Sequence, residues 1–152
     1  MARRNNRIGK ADDIARHLGR AHLETDPETG KVIGVFNTAF DLKVPKKEKE
    51  ASVNHLQYFT GETLDQLKSI KADMVNAGYT VGNQSAYAVV KVETVEGCGK
   101  DSGVSLAVYK RPLDKNQSHA GLRGLPLDNS NAELRERLAQ AASRQVFAAA
   151  AL

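Results

Sequence analysis

The stretch Ser85–Arg111 constrains this chain more than any other. It reads S-A-Y-A-V-V-K-V-E-T-V, then E-G-C-G-K-D-S-G, then V-S-L-A-V-Y-K-R. Two β-rich runs around a glycine-rich connector predict an antiparallel hairpin. Side chains alternate between faces along a strand, so Ala86, Ala88, Val90 and Val92 share a face in the first run. Val104, Leu106 and Val108 share one in the second. Symmetric pairing about the connector merges these sets into a core face. The opposite face then carries Tyr87, Val89, Lys91, Tyr109 and Arg111, rings and cations together.

The rest of the chain must supply partners for that hairpin. A basic arm comes first (residues 1–10, with Arg3, Arg4, Arg7 and Lys10), followed by a short helical pattern with Ile14, Leu18 and Ala21 on one side. Asp12 and Asp13 fall in its first turn, where acids suit the helix dipole, and Arg16 and Arg20 lie four apart on one face. The first 22 residues thus hold six Lys/Arg against two Asp, either as a solvated tail and helix or as a phosphate-binding or anchoring element. From Leu23 the pattern turns to strand, with a tight turn at Asp26–Gly30 and one long strand expected through Lys31 to Val44. Residues 45–50, P-K-K-E-K-E, read as a charged loop, and residues 51–59 as a further strand with poor alternation.

The clearest helix runs from Gly61 to Ala77, capped by Thr60 and ended by Gly78, with Leu64, Leu67, Ile70, Met74 and Val75 as its stripe. Residues 113–129 lose periodicity and read as one long loop. Ser130 and Glu133 form a capping box for a final helix over 130–152, with Leu134, Leu138, Ala142 and Val146 on one stripe. That helix ends in Phe147, four alanines and Leu152, too apolar to hang in water, so it is expected to dock on the body or on a neighbouring subunit. The expected fold is α+β: a mainly antiparallel sheet of four to five strands, a central amphipathic helix, and N- and C-terminal helices around a core spanning 11–112.

Composition narrows the chemistry. With 152 residues the chain can bury a core without disulfides, and its single cysteine excludes an intramolecular one and points to a reducing compartment. No apolar run approaches the ~20 residues of a membrane span, and the N-terminal charges are not followed by the apolar stretch of a signal peptide. A soluble protein is expected, cytoplasmic or within an assembled particle. A net charge of +4 suits an anionic partner without demanding one.

Gly97-Cys98-Gly99-Lys100-Asp101-Ser102 superficially resembles a phosphate loop but fails the spacing, which needs Gly at Thr94 and Ser or Thr at Asp101. Cys98 has no histidine beside it in sequence, and His17 and His22, five apart, do not form a clamp on a helix. No metal or cofactor is therefore expected. His55 and His119 are in principle an acid/base pair for phosphodiester cleavage, with Lys110 or Arg111 holding the phosphate, though nothing in the sequence brings them together.

Binding remains, and a non-enzymatic protein is expected. The leading expectation is nonspecific association with nucleic acid through Arg3, Arg4, Arg7, Lys10, Arg16, Arg20, Tyr87, Lys91, Tyr109 and Arg111, with bases stacked on rings and phosphates on cations. The competing arrangement covers that sheet face with a terminal helix, since Val89 and Ala107 also lie on it. The alternative function is a self-associating structural subunit of a virus, phage or other assembly, with Leu134, Leu138, Val146, Phe147 and Leu152 at its interface. A small hydrolase or nuclease is the remote third.

Overall fold

A computed structural model describes residues 6–152 of the chain. Eight strands and three α-helices alternate along it: β1 (Asp13–Leu18), β2 (Leu23–Thr25), β3 (Val32–Val35), β4 (Glu50–His55), α1 (Thr63–Asn76), β5 (Ala86–Lys91), α2 (Val92–Asp101), β6 (Ala107–Lys110), β7 (His119–Arg123), α3 (Ala132–Ala142) and β8 (Val146–Ala148). The main sheet has six strands rather than four to five, in the order β6-β7-β4-β1-β5-β8, and every pairing is antiparallel. β2 and β3 form a separate ribbon around the Asp26–Gly30 turn, where Gly30 takes φ 73° and its N–H donates to the Asp26 carbonyl.

The expected N-terminal helix is instead β1, in the middle of the sheet. Ile14 and Leu18 are four apart, a spacing in phase with both a helix face and a strand face. Burial decides: flanked by β4 and β5, β1 sends Ile14 and Leu18 into the core on one side and Ala15 on the other. The expected 85–111 hairpin does not form either. The end of the expected first strand and most of the connector form α2, and β5 and β6 stand with β1, β4 and β7 between them. Val92, Val95 and Gly99, spaced i, i+3, i+7, make the buried face of α2. Gly99 is needed there, because a Cβ would meet the Val104 carbonyl oxygen at 2.6 Å and Leu106 Cγ at 2.8 Å.

Other segments also depart from expectation. The long strand over 31–44 is limited to Val32–Val35. The 113–129 loop contains β7. The final helix stops at Ala142, where the Ser143 hydroxyl donates to the Ala139 carbonyl and accepts from the Val35 N–H, turning the chain into β8. α3 is capped by Asn131 rather than Ser130: the Asn131 side-chain oxygen accepts from the Leu134 N–H.

One sheet face packs on α2 and α3 through Val53, Ala88, Val90, Val108, Leu122, Leu134 and Leu138. On the other, α1 lays Leu67, Ile70 and Met74 over Ala15, Tyr87 and Val89, while Leu64 and Val75 turn outward to solvent. α1 covers the β1–β5 part of this face. Toward β4, β7 and β6 the same face keeps Ser52 and Arg123 exposed and Tyr109 half-buried.

Candidate nucleic-acid interface

In the described part of the arm, Ile8 is the buried apolar anchor. Ile8 is 2 % exposed in the core, and its N–H donates to the Val108 carbonyl at 2.9 Å, so the chain lies along the outer edge of β6. This seats Arg7 opposite Tyr109 in a β-bridge. Further on, the carbonyls of Lys10 and Asp12 accept from the N–H groups of Glu93 and Val92, tying the arm to the first turn of α2. Arg7, Lys10 and Lys100 line a groove of about 560 Å³ together with Glu93 and Glu96, and Arg7 pairs with Glu96 at 3.1 Å.

Beside the arm, the Arg111 guanidinium lies over the Tyr109 ring, 5.2 Å from its centroid, in cation–π geometry. It also makes a two-pronged pair with Glu50, Nε to Oε1 at 3.1 Å and Nη2 to Oε2 at 2.8 Å, and this hydrogen bonding holds the Arg111 pKa above its usual value. Glu50 reaches Arg111 across β7 because residue 121 is glycine: a Cβ there would collide with the carboxylate.

At the adjoining end of the sheet, where β4 and β6 finish and β7 begins, a cavity of about 310 Å³ is lined by His55, Gln57, Tyr58, Lys110, Ser118 and His119, among others. His55 Nε2 lies 2.7 Å from Asp12 Oδ2. A carboxylate accepts, so in the neutral ring that nitrogen carries the proton and Nδ1 the lone pair. His119 Nδ1 is 2.8 Å from the Arg111 carbonyl and donates to it, leaving Nε2 to exchange protons. The rim loop is pinned from below: the buried Asn54 side chain donates to Asn116 Oδ1 at 2.8 Å and Ser118 Oγ at 2.9 Å.

The sequence-derived residues divide sharply. Arg7, Lys10, Tyr109 and Arg111 come together on and beside β6, and Lys91 lies exposed at the end of β5, opposite Asp13. Tyr87 does not join them. The pairing register puts it on the same sheet face as Tyr109, as alternation predicts, but four strand spacings away, about 19 Å. It is fully buried under α1, its hydroxyl against Met74 Sδ at 3.3 Å, and burial pushes its pKa up to about 12. Arg16 is likewise structural: it donates to the Ala39 and Ser52 carbonyls, and burial lowers its pKa. Arg20 bonds the Gln84 side chain past the opposite end of β1. Arg3 and Arg4 lie outside the described residues.

The residues expected at an interface also make contacts within the chain. Leu134 and Leu138 are core, Val146 packs on one cluster, and Phe147 and Leu152 pack on the other. Cys98 is half-buried on α2, where burial pushes its thiol pKa up, away from nucleophilic character. The roles of Asp12, Glu50 and Gly121 are not legible in the sequence, where Asp12 reads instead as a first-turn helix residue. Their roles depend on partners 43, 61 and 71 positions away, and no local pattern marks them.

Among the described residues no three His, Cys, Asp or Glu side chains are grouped to hold a metal ion, and no helix is long and apolar enough to cross a membrane. The chain matches no protein-family model, no curated protein and no solved structure.

Proposed function

We propose that this protein binds single-stranded nucleic acid along the β6 edge, with phosphates on Arg7, Lys10 and Lys100 and a base against Tyr109. Ile8 is the observation that supports this: its burial brings a basic arm beside an aromatic–arginine pair about a hundred positions away in the chain. Arms of this kind contribute sequence-independent phosphate contacts, and a ring with a cation over it suits base stacking. The contacts are few and their charges partly offset by Glu50, Glu93 and Glu96, so the expected affinity is modest and falls with added salt by a slope of about 2 at most.

The test is a fluorescence-anisotropy titration of mixed-sequence RNA and DNA single strands from about 50 to 200 mM salt. Replacing Arg7, Lys10 and Lys100 by glutamine together is expected to reduce the log–log salt slope by about 2, at roughly 0.7 per phosphate contact on a single strand. Affinity indifferent to salt, or a triple variant that binds as wild type does, would overturn the proposal.

A further inference from the structure

We infer that the cavity between His55 and His119 cleaves bound RNA by in-line attack of a ribose 2′-hydroxyl on its own 3′-phosphate. This rests on the nucleic-acid reading and adds a substrate class and a reaction to it. Three observations carry it. Both imidazoles line one cavity of about 310 Å³. Each has one nitrogen committed to an acceptor, His55 Nε2 to Asp12 and His119 Nδ1 to the Arg111 carbonyl, so each has one nitrogen left for proton transfer. Lys110, exposed on the same cavity, supplies a cation for the phosphoryl oxygens.

The cavity lies at the end of the strand that carries Tyr109. Lys110 stands between Tyr109 and Arg111 in sequence, and His119 is bonded to Arg111's own carbonyl.

The step balances without a further reactant. His55 Nδ1 takes the 2′-hydroxyl proton as that oxygen bonds to phosphorus. The bond from phosphorus to the 5′-oxygen breaks, its electron pair stays on that oxygen, and the oxygen receives a proton from protonated His119 Nε2. The products are a 2′,3′-cyclic phosphate and a 5′-hydroxyl, and exchange with water restores both rings. Asp12 is a positioning residue, holding His55 in the tautomer whose Nδ1 is free. Asp12→Ala is expected to lower kcat with KM unchanged.

The deciding experiment incubates the full-length protein with end-labelled mixed-sequence RNA in EDTA, and in parallel with the all-deoxy version of the same strand. Expected are cleavage of the RNA to fragments with cyclic-phosphate ends by mass, and binding without cleavage of the DNA. His119→Gln keeps a donor for the Arg111 carbonyl but cannot exchange a proton at neutral pH. It is expected to lose about 100-fold in cleavage rate while affinity holds within about twofold and the melting temperature stays near wild type. RNA that is bound but left intact would sink this inference and spare the binding proposal, as would cleavage undiminished in His119→Gln. Failure to bind either strand would end both.

Discussion

Truncating Ile8 to alanine tests whether the arm is held in place by hydrophobic burial. The side chain is 2 % exposed within the main core cluster. Removing three carbons at about 0.8 kcal/mol each forfeits about 2.4 kcal/mol of transfer energy. An unrelaxed cavity raises the cost of buried isoleucine-to-alanine changes toward 5 kcal/mol. Ile8 packs beside the outermost strand, where neighbours relax more easily than at the centre of a sheet, so the lower figure is expected, with the midpoint of urea unfolding displaced and its slope unchanged. The effect should also appear locally. The Ile8 N–H donates to the Val108 carbonyl, and weakening its docking by 2.4 kcal/mol should speed hydrogen exchange at that amide by about 60-fold. Arg7 and Lys10 would then leave the β6 edge together, and the salt slope for nucleic acid should fall by about 1.4, the share of two contacts. A stability change under about 0.5 kcal/mol, with exchange and slope as in wild type, would refute the reasoning, because a solvated arm gives that result.

Glu50→Gln releases Arg111 from its carboxylate partner, so nucleic-acid affinity should rise with a salt slope steeper by about 0.7, while stability drops by no more than about 1 kcal/mol for this part-exposed pair. Gly99→Ala forces a methyl against the Val104 carbonyl and Leu106, and thermal or urea unfolding should show a loss of about 1–3 kcal/mol. Tyr87→Ala should cost about 3–5 kcal/mol and Tyr87→Phe under about 1 kcal/mol, with nucleic-acid affinity unchanged in both, since the ring is core and its hydroxyl meets only a thioether. His17 is held below its usual pKa of 6.5 by burial and, secondarily, by Arg16. The unfolded chain therefore binds the proton more readily, so stability should decline as pH falls below about 6.5, and His17→Leu should flatten that decline in urea titrations.

Some of this was written locally in the chain. The body and end of α1 and the Asp26–Gly30 turn lie where expected because each rests on neighbours, an i, i+3, i+7 stripe ended by Gly78 at φ 94° and a glycine able to take positive φ, whereas the helix begins at Thr63 after Glu62 and not at a Thr60 cap. β1 and α2 were misread for a shared reason. Ile14 and Leu18 fit a helix and a strand equally, while Val92 and Val95 fit the end of a strand and Gly99 a hairpin connector until Leu106 packs against the glycine. Burial from distant segments selected between alternatives that local spacing leaves equal.

The same division holds at the site. Cation and ring types at Arg7, Lys10, Tyr109 and Arg111, and the alternation placing Tyr87 and Tyr109 on one sheet face, are properties of the chain itself. Which of them are neighbours was decided by strand order, which inserted β1, β4 and β7 between the two tyrosines and let α1 seal one of them. Strand order also brought Asp12 to His55, and both to the cavity that His119 lines. Alternation is a local rule of backbone geometry, whereas adjacency depends on which distant strands bury the most apolar surface together, a competition settled only when the whole sheet assembles.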